Sequence, residues 1–248
     1  MGEPTVLAGH GFMTARAGLP AGAAWIPSVL LMFPDKLIEQ VSALGVVAVL
    51  TVDDPADAVP LGRALVAGGV TGIELTLRTP RALESLQRIA AELPEILIGA
   101  GTVLNRDQLV AVKQAGAKFA VAPGCNPSTL RAAKDLGLPF APGISTPSDI
   151  EIAVEHGCRL LKYFPAETSG GLAHLTGMAA PYAHLKLRYI PLGGLTQANM
   201  GDYLKSPLVA ALGGSWIAKP DVIAKKDWPA ITQAAAAAVA AVKAARAK

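Results

Sequence analysis

The chain has little of what metal, redox or disulfide chemistry requires. Of its 248 residues only two are cysteines, Cys125 and Cys158. They form neither a metal-ligand spacing nor a disulfide scaffold. Reduced thiols in a cytosolic protein are the expectation, with a cytoplasmic location. Four histidines (His10, His156, His174, His184) are scattered without an HxxxH or HxH pair, so no metal site of the common His/Cys type is expected. Charged residues make up only 17% and the net charge is +3. No Lys/Arg-dense stretch interleaves with aromatics, which argues against a nucleic-acid partner. Lys243, Arg246 and Lys248 read as the polar side of a terminal helix. Long apolar runs are also missing. Residues 22–32 are apolar but too short to span a bilayer, Pro20 and Pro27 interrupt the region, and the basic leader is weak. Neither a membrane partner nor a signal peptide is expected. Met32 is a candidate alternative translation start, because regular patterning begins just after it. Residues 1–33 are therefore expected to be an extension outside a single domain covering 34–248.

What is present is apolar and periodic. Hydrophobic residues reach 52%, which excludes a disordered chain. The length suits one large α/β domain or two small ones. From Val46 onward one unit repeats: a short β-prone run, a turn, then an amphipathic helix. Eight strand candidates follow: Val46–Thr51, Gly72–Thr76, Ile96–Ala100, Lys118–Ala122, Pro139–Ala141, Arg159–Phe164, Leu187–Pro191 and Leu208–Leu212. Helical patterns separate them, including Pro127–Leu136 and Pro147–Glu155. A short helix at Lys36–Leu44 and a terminal one at Pro229–Ala247 flank the series. Four junctions share a phrase: AGGVTGIEL, AGAKFAVAP, LGLPFAPG and HGCRLLKYF. Each places a glycine just after a helix, as a left-handed helix end requires. Strict β/α alternation implies a parallel sheet. Eight units in this length imply a (β/α)8 TIM barrel, an α/β fold. A doubly wound sheet is the alternative, but Thr51-Val52-Asp53-Asp54-Pro55 after the first strand carries no dinucleotide glycines.

In a parallel barrel, alternate strand residues face the interior and chemistry sits at the C-terminal strand ends. Polar residues inside apolar strands therefore stand out. In the second strand Glu74, Thr76 and Arg78 alternate with Ile73, Leu75 and Leu77, which puts the polar three on one face. In the sixth, Lys162 sits within Leu160-Leu161-Lys162-Tyr163-Phe164. An inward charge is expensive unless paired or used. An apolar cavity destabilises an ammonium, and a free amine can attack a carbonyl to form a Schiff base. Glu74 could then move protons and Arg78 could hold a carboxylate. A bland alternative is a lysine that snorkels to a strand end. The third strand ends in small residues, Gly99-Ala100-Gly101, which would let a ligand approach, followed by the hydroxyl of Thr102. Asn105 is placed to cap the next helix. Gly193-Gly194 ends strand seven and Gly213-Gly214-Ser215 follows strand eight. Paired glycines at those two ends are a phosphate-binding arrangement. Glu167, past the sixth strand, is expected in a loop or helix start.

Six phrases, AVPLGRALVAGGV (58–70), IELTLRT (73–79), IGAGTVLN (98–105), APGISTPSD (141–149), LKYFPAETSGG (161–171) and LGGSW (212–216), resemble one family. It is the class I 2-keto-3-deoxy-6-phosphogluconate (KDPG) aldolases, with the closely similar 4-hydroxy-2-oxoglutarate (KHG) aldolases. The resemblance implies a (β/α)8 barrel, a homotrimer, a 2-keto acid substrate giving pyruvate, and no cofactor or metal. It implies Lys162 as the Schiff-base lysine and Glu74 as the general acid/base. It assigns Arg78 and Thr102 to pyruvate, Pro123 to shaping the pocket, and Gly193, Gly194, Gly214 and Ser215 to phosphate. The expected products are pyruvate and glyceraldehyde 3-phosphate. Two departures from the pattern occur. Leu192 replaces a threonine, which removes a hydroxyl near the aldehyde end of the substrate. Val47-Ala48-Val49 replaces Val-Pro-Val. Leu192 favours the alternatives, a KHG aldolase giving glyoxylate or an aldolase of unphosphorylated 2-keto-4-hydroxy acids. A remote alternative is a non-catalytic barrel that binds phosphosugars or serves assembly.

Overall fold

The computed structural model describes residues 32–247. Nine strand segments occur: β1 (Val46–Leu50), β2 (Gly72–Thr76), β3 (Leu97–Gly101), β4 (Phe119–Val121), β5 (Phe140–Ala141), β6 (Gly143–Ile144), β7 (Leu160–Tyr163), β8 (Arg188–Pro191) and β9 (Leu212–Gly214). The helices are α1 (Asp35–Leu44), α2 (Ala58–Ala67), α3 (Ala82–Glu92), α4 (Arg106–Gln114), α5 (Pro127–Leu136), α6 (Pro147–Glu155), α7 (Gly171–Ala179), α8 (Met200–Lys205), α9 (Pro220–Ala224) and α10 (Trp228–Arg246). None of them is long and apolar enough to cross a membrane.

Local chemistry sets these boundaries. The Asn126 side chain accepts from Ser128 N at 3.0 Å and Pro127 opens α5, so the helix starts where its first N–H groups find a partner. Thr146 and Asp149 bond reciprocally in a capping box at the start of α6. The glycines of the four repeated phrases (Gly69, Gly116, Gly137, Gly157) all have φ between 61° and 97°, so each chain reversal uses the left-handed region.

The strands pair in parallel throughout, in a six-stranded sheet ordered β5-β4-β3-β2-β1-β9 and a three-stranded sheet ordered β6-β7-β8. Two places where eight continuous strands were expected differ. The fifth strand is longer than Pro139–Ala141 and is split by Pro142, which has no N–H for a ladder. Its first half pairs with β4 and its second with β7. The eighth lies later than Leu208–Leu212. Val209 makes only an isolated bridge to Tyr189, and Leu212–Gly214 then pairs with β1. Gly213 and Gly214 are therefore inside a strand rather than after it, and only Ser215 lies beyond its end. Helix α9 was not expected from the sequence.

Alternation along the strands sorts side chains into two cores. Leu161, Tyr163 and Tyr189 join the larger core with helix residues such as Leu175 and Met178. Leu160, Ile190, Leu192, Phe119 and Val121 form the smaller one. Phe33 belongs to it too, 1% exposed, with its ring 6.0 Å from that of Phe119. Met32 is buried and its N–H donates to Gly157 O at 3.1 Å. The packed chain thus begins two residues before the expected boundary at 34. Residues 1–31, the rest of the expected extension, lie outside the described residues.

Candidate active site

Lys162 is the third residue of β7 and Glu74 the third of β2, and both are 4% exposed. Their side chains meet: Lys162 Nζ donates to Glu74 Oε1 at 2.8 Å. The residues are 88 positions apart, so only the fold joins them. They share a cavity with the smaller core, lined by Val47, Phe119, Val121, Leu160, Ile190 and Leu192 among others. Its enclosed volume is about 20 Å³, room for a single water. A buried charge without a partner is costly, and here each group supplies the other's partner. Phe164, two residues after Lys162 and on the same face by strand period, brings its ring centroid to 5.4 Å from Nζ. That residue was readable from the alternation and was missed.

Small residues give the carboxylate its space. A Cβ on Gly101 would come within 2.2 Å of Glu74 Oε1, so the glycine makes room for a protein carboxylate rather than for the expected ligand. A Cβ on Gly99 would likewise strike the Phe119 ring. Thr76 is fully buried, donates to Leu50 O at 2.9 Å and lies 2.9 Å from the Thr51 hydroxyl. It ties the ends of β1 and β2 together.

Beyond the strand ends, Arg78 is exposed and donates from Nε to Thr102 Oγ1 over 3.4 Å. Among the described residues its guanidinium makes no ion pair. Thr102 has φ 60°, a left-handed backbone that a β-branched residue rarely accepts. Such strain costs roughly 1–2 kcal/mol and clusters at functional sites. Asn105 caps α4 as expected, accepting from Gln108 N at 2.9 Å. Pro123 is half-buried, and its carbonyl occupies the place a Cβ on Gly143 would need, so β6 closes tightly on this turn.

Gly193 and Gly194 follow β8 with φ 93° and 81°. Among the described residues the N–H groups of Gly193, Gly194 and Ser215 donate to no protein acceptor. Successive left-handed residues turn such N–H groups outward, as in anion-binding nests. The segment after β7 runs beside this turn: Ala166 N donates to Leu192 O at 2.7 Å and Glu167 N to Gly193 O at 3.0 Å. Leu192 itself is 5% exposed and lines the cavity that holds Lys162 and Glu74. Its side chain fills the space a Cβ on Gly213 would need. It therefore packs in the apolar wall of the cavity that holds the Lys162–Glu74 pair.

Chemically, the arrangement offers a primary amine and a carboxylate in hydrogen-bond contact, a nearby guanidinium–hydroxyl pair, and unpaired backbone donors on glycines. Comparison with known proteins agrees with it. The family model "KDPG and KHG aldolase" matches residues 37–234. The KHG/KDPG aldolase of Escherichia coli K12 is 43% identical over 198 residues, covering 80% of this chain and 92% of that protein. The KDPG aldolase of Zymomonas mobilis, solved with 3-phosphoglycerate, superposes with a TM-score of 0.77 at 38% identity over 82% of this chain and 95% of that one. That of Legionella pneumophila, solved with pyruvate captured at low pH as a covalent carbinolamine intermediate, also gives 0.77, at 35% identity over 81% and 97%. The sequence phrases, the parallel β/α fold and these matches together place the chain in the KDPG and KHG aldolase family.

Proposed function

We propose that the protein cleaves 2-keto-3-deoxy-6-phosphogluconate to pyruvate and glyceraldehyde 3-phosphate through a Schiff base on Lys162. It is a class I aldolase, a carbon–carbon lyase. The observation that carries the residue assignment is the 2.8 Å contact between Lys162 Nζ and Glu74 Oε1 inside an apolar cavity. A proton can pass directly between these atoms, leaving a neutral amine to attack.

The amine adds to the C2 ketone to give a carbinolamine, and Glu74 then hands its proton to the departing hydroxyl, so that water leaves, an iminium forms and Glu74 is again a carboxylate. Arg78 and Thr102 hold the substrate carboxylate, the guanidinium by charge and the hydroxyl by hydrogen bonding. Glu74 takes the proton of the C4 hydroxyl as the C3–C4 bond breaks. The electron pair of that bond moves into the iminium, forming an enamine, and the aldehyde leaves. Glu74 returns the proton to C3, and water then releases pyruvate and the free amine. Gly193, Gly194 and Ser215 receive the phosphate through backbone N–H groups and the Ser215 hydroxyl, and Gly214, at the end of β9, borders the same site without a side chain. Pro123 shapes the pocket wall.

The same proposal takes the strands as a closed (β/α)8 barrel in a single domain starting at Met32, with residues 1–31 as an extension. Two observations support closure. β5 and β6 read as one strand crossing from the first sheet to the second at Pro142, and the Tyr189–Val209 bridge makes the equivalent link on the other side. The family resemblance supports a homotrimer, which sedimentation tests, and a cytoplasmic location.

Borohydride reduction in the presence of pyruvate tests the chemistry. A stable mass adduct on Lys162, lost in Lys162→Ala, is expected. No adduct, or an adduct that survives the substitution, sinks the assignment. Leu192 favours a second activity, cleavage of 4-hydroxy-2-oxoglutarate to pyruvate and glyoxylate, because an apolar side chain stands where the family pattern has a hydroxyl. The ratio of kcat/KM on the two substrates decides which predominates.

A further inference from the structure

Glu167 takes no part in the chemistry above, yet three elements converge on it. Its N–H donates to Gly193 O at 3.0 Å, continuing the pairing of Ala166 N with Leu192 O at 2.7 Å. Its Cβ packs where Gly194 has no side chain; a Cβ there would come within 2.6 Å. Its carboxylate accepts a hydrogen bond from Tyr203 of α8, a residue 3% exposed. Burial, then the bond to the Glu167 carboxylate, push the Tyr203 phenol well above the usual tyrosine range, so it stays a donor. The far end of the same segment is fixed independently. Tyr163 OH donates to Gly171 O at 3.2 Å and lies 3.0 Å from His174 Nδ1.

What these contacts hold is the Gly193–Gly194 turn. Two consecutive left-handed glycines have many alternative conformations, and only a braced turn keeps its N–H groups aimed outward. A carboxylate beside an anion site would normally repel the anion. Here Oε1 is directed to Tyr203 and the start of α7, 3.5 Å from the position a Gly171 Cβ would take. That helix end carries partial positive charge. The negative group is thus engaged away from the turn it supports.

We propose that Glu167, held by Tyr203, is a positioning residue that locks the Gly193–Gly194 turn in its anion-accepting form and so sets the preference for a substrate bearing a terminal phosphate. The proposal rests on the phosphate role given to that turn above. It acts on binding at the phosphate end and not on Lys162.

The test uses the full chain with Glu167→Ala, Glu167→Gln and Tyr203→Phe. Three quantities are measured: kcat and KM on 2-keto-3-deoxy-6-phosphogluconate, the same on unphosphorylated 2-keto-3-deoxygluconate, and the rate of borohydride trapping with pyruvate. Glu167→Ala and Tyr203→Phe are expected to raise KM for the phosphorylated substrate about tenfold with kcat within about threefold. The unphosphorylated substrate and the trapping rate should not change. Glu167→Gln keeps an oxygen for Tyr203 and should stay within about threefold of wild type. Equal losses on both substrates, a fall in trapping, a Gln variant as impaired as the Ala variant, or no change at all would each overturn the proposal. Tyr203→Phe removes one oxygen from a packed side chain, so it serves if Glu167→Ala does not fold. Failure of the wild-type enzyme to trap pyruvate would instead break the aldolase chemistry at Lys162.

Discussion

At one end of the interior, Phe33, Val41, Phe119 and Leu160 pack together without a polar side chain among them. At the other, past the C-terminal strand ends, lie Arg78, Thr102, the Gly193–Gly194 turn and Ser215. The Lys162–Glu74 pair sits at the boundary. The contrast shows why the pair is where it is. A floor that cannot solvate a charge forces the two groups onto each other, while the polar side chains and the turn lie past the strand ends. The charges are carried by strands, whose backbone is fixed by pairing on both sides. The groups proposed to bind the substrate's ends are carried by loops, where sequence can change without disturbing the core.

The sharpest way to break this contrast is at the boundary itself. Glu74→Gln removes the proposed proton acceptor but keeps the shape. It should lower kcat by about 10²–10⁴-fold while pyruvate is still trapped on Lys162, more slowly because the amine has lost its proton acceptor. A loss under tenfold would move the base to another group. Next comes the floor. Phe33→Ala should cost about 3–5 kcal/mol in urea unfolding and leave kcat at 25 °C nearly unchanged, because the ring packs below the reacting groups. If kcat collapses while the fold survives, the floor is part of the chemistry and the division fails. On the rim the balance reverses. Thr102→Gly relieves the left-handed strain at φ 60° but frees the unfolded chain, so stability should change by no more than about 1 kcal/mol. KM for the 2-keto acid should rise about tenfold, since the hydroxyl that bonds Arg78 is gone.

Much of this was legible before any fold. Lys162 stands out because no other charge lies between Arg159 and Glu167, and Glu74 because a period of two sets it against Ile73 and Leu75. The repeated helix-end glycines carry their own conformational reason. What escaped depends on contacts between distant segments. The split at Pro142 reflects a strand that changes neighbours, which a local apolar run cannot display. The last strand was placed too early because Leu208–Ala211 is as apolar as a strand, yet only Val209 finds a bridging partner. Gly101 looked like room for ligand, and the occupant turned out to be Glu74, 27 residues earlier in the chain. Leu192 was noticed as a lost hydroxyl near the aldehyde end, but its packing against Gly213 became visible only once β9 was placed beside β1. Tyr203 and Glu167 are 36 residues apart with nothing in either segment to announce the other.

The smallest expected effect on activity concerns a side chain that sits on the rim without belonging to its chemistry. Cys125 follows the Pro123–Gly124 turn, and its Sγ lies 3.5 Å from Asp149 O, turned toward the start of α6. Burial, with Asp149 adding repulsion, pushes its thiol from 9.0 up to about 12. Raising an acid's pKa leaves less thiolate at a given pH, so three units mean about a thousandfold less nucleophile at pH 8. By linkage, the folded state favours the protonated thiol. Cys125 therefore contributes stability that is present below pH 9.0 and lost as the pH climbs toward about 12. Iodoacetamide at pH 8 should label Cys125 about a thousandfold more slowly in the native enzyme than in urea, with activity intact throughout. Rapid native labelling accompanied by loss of turnover would show that the 123–125 turn opens during catalysis. The reactive groups of the rim would then extend beyond those that the Lys162–Glu74 boundary accounts for.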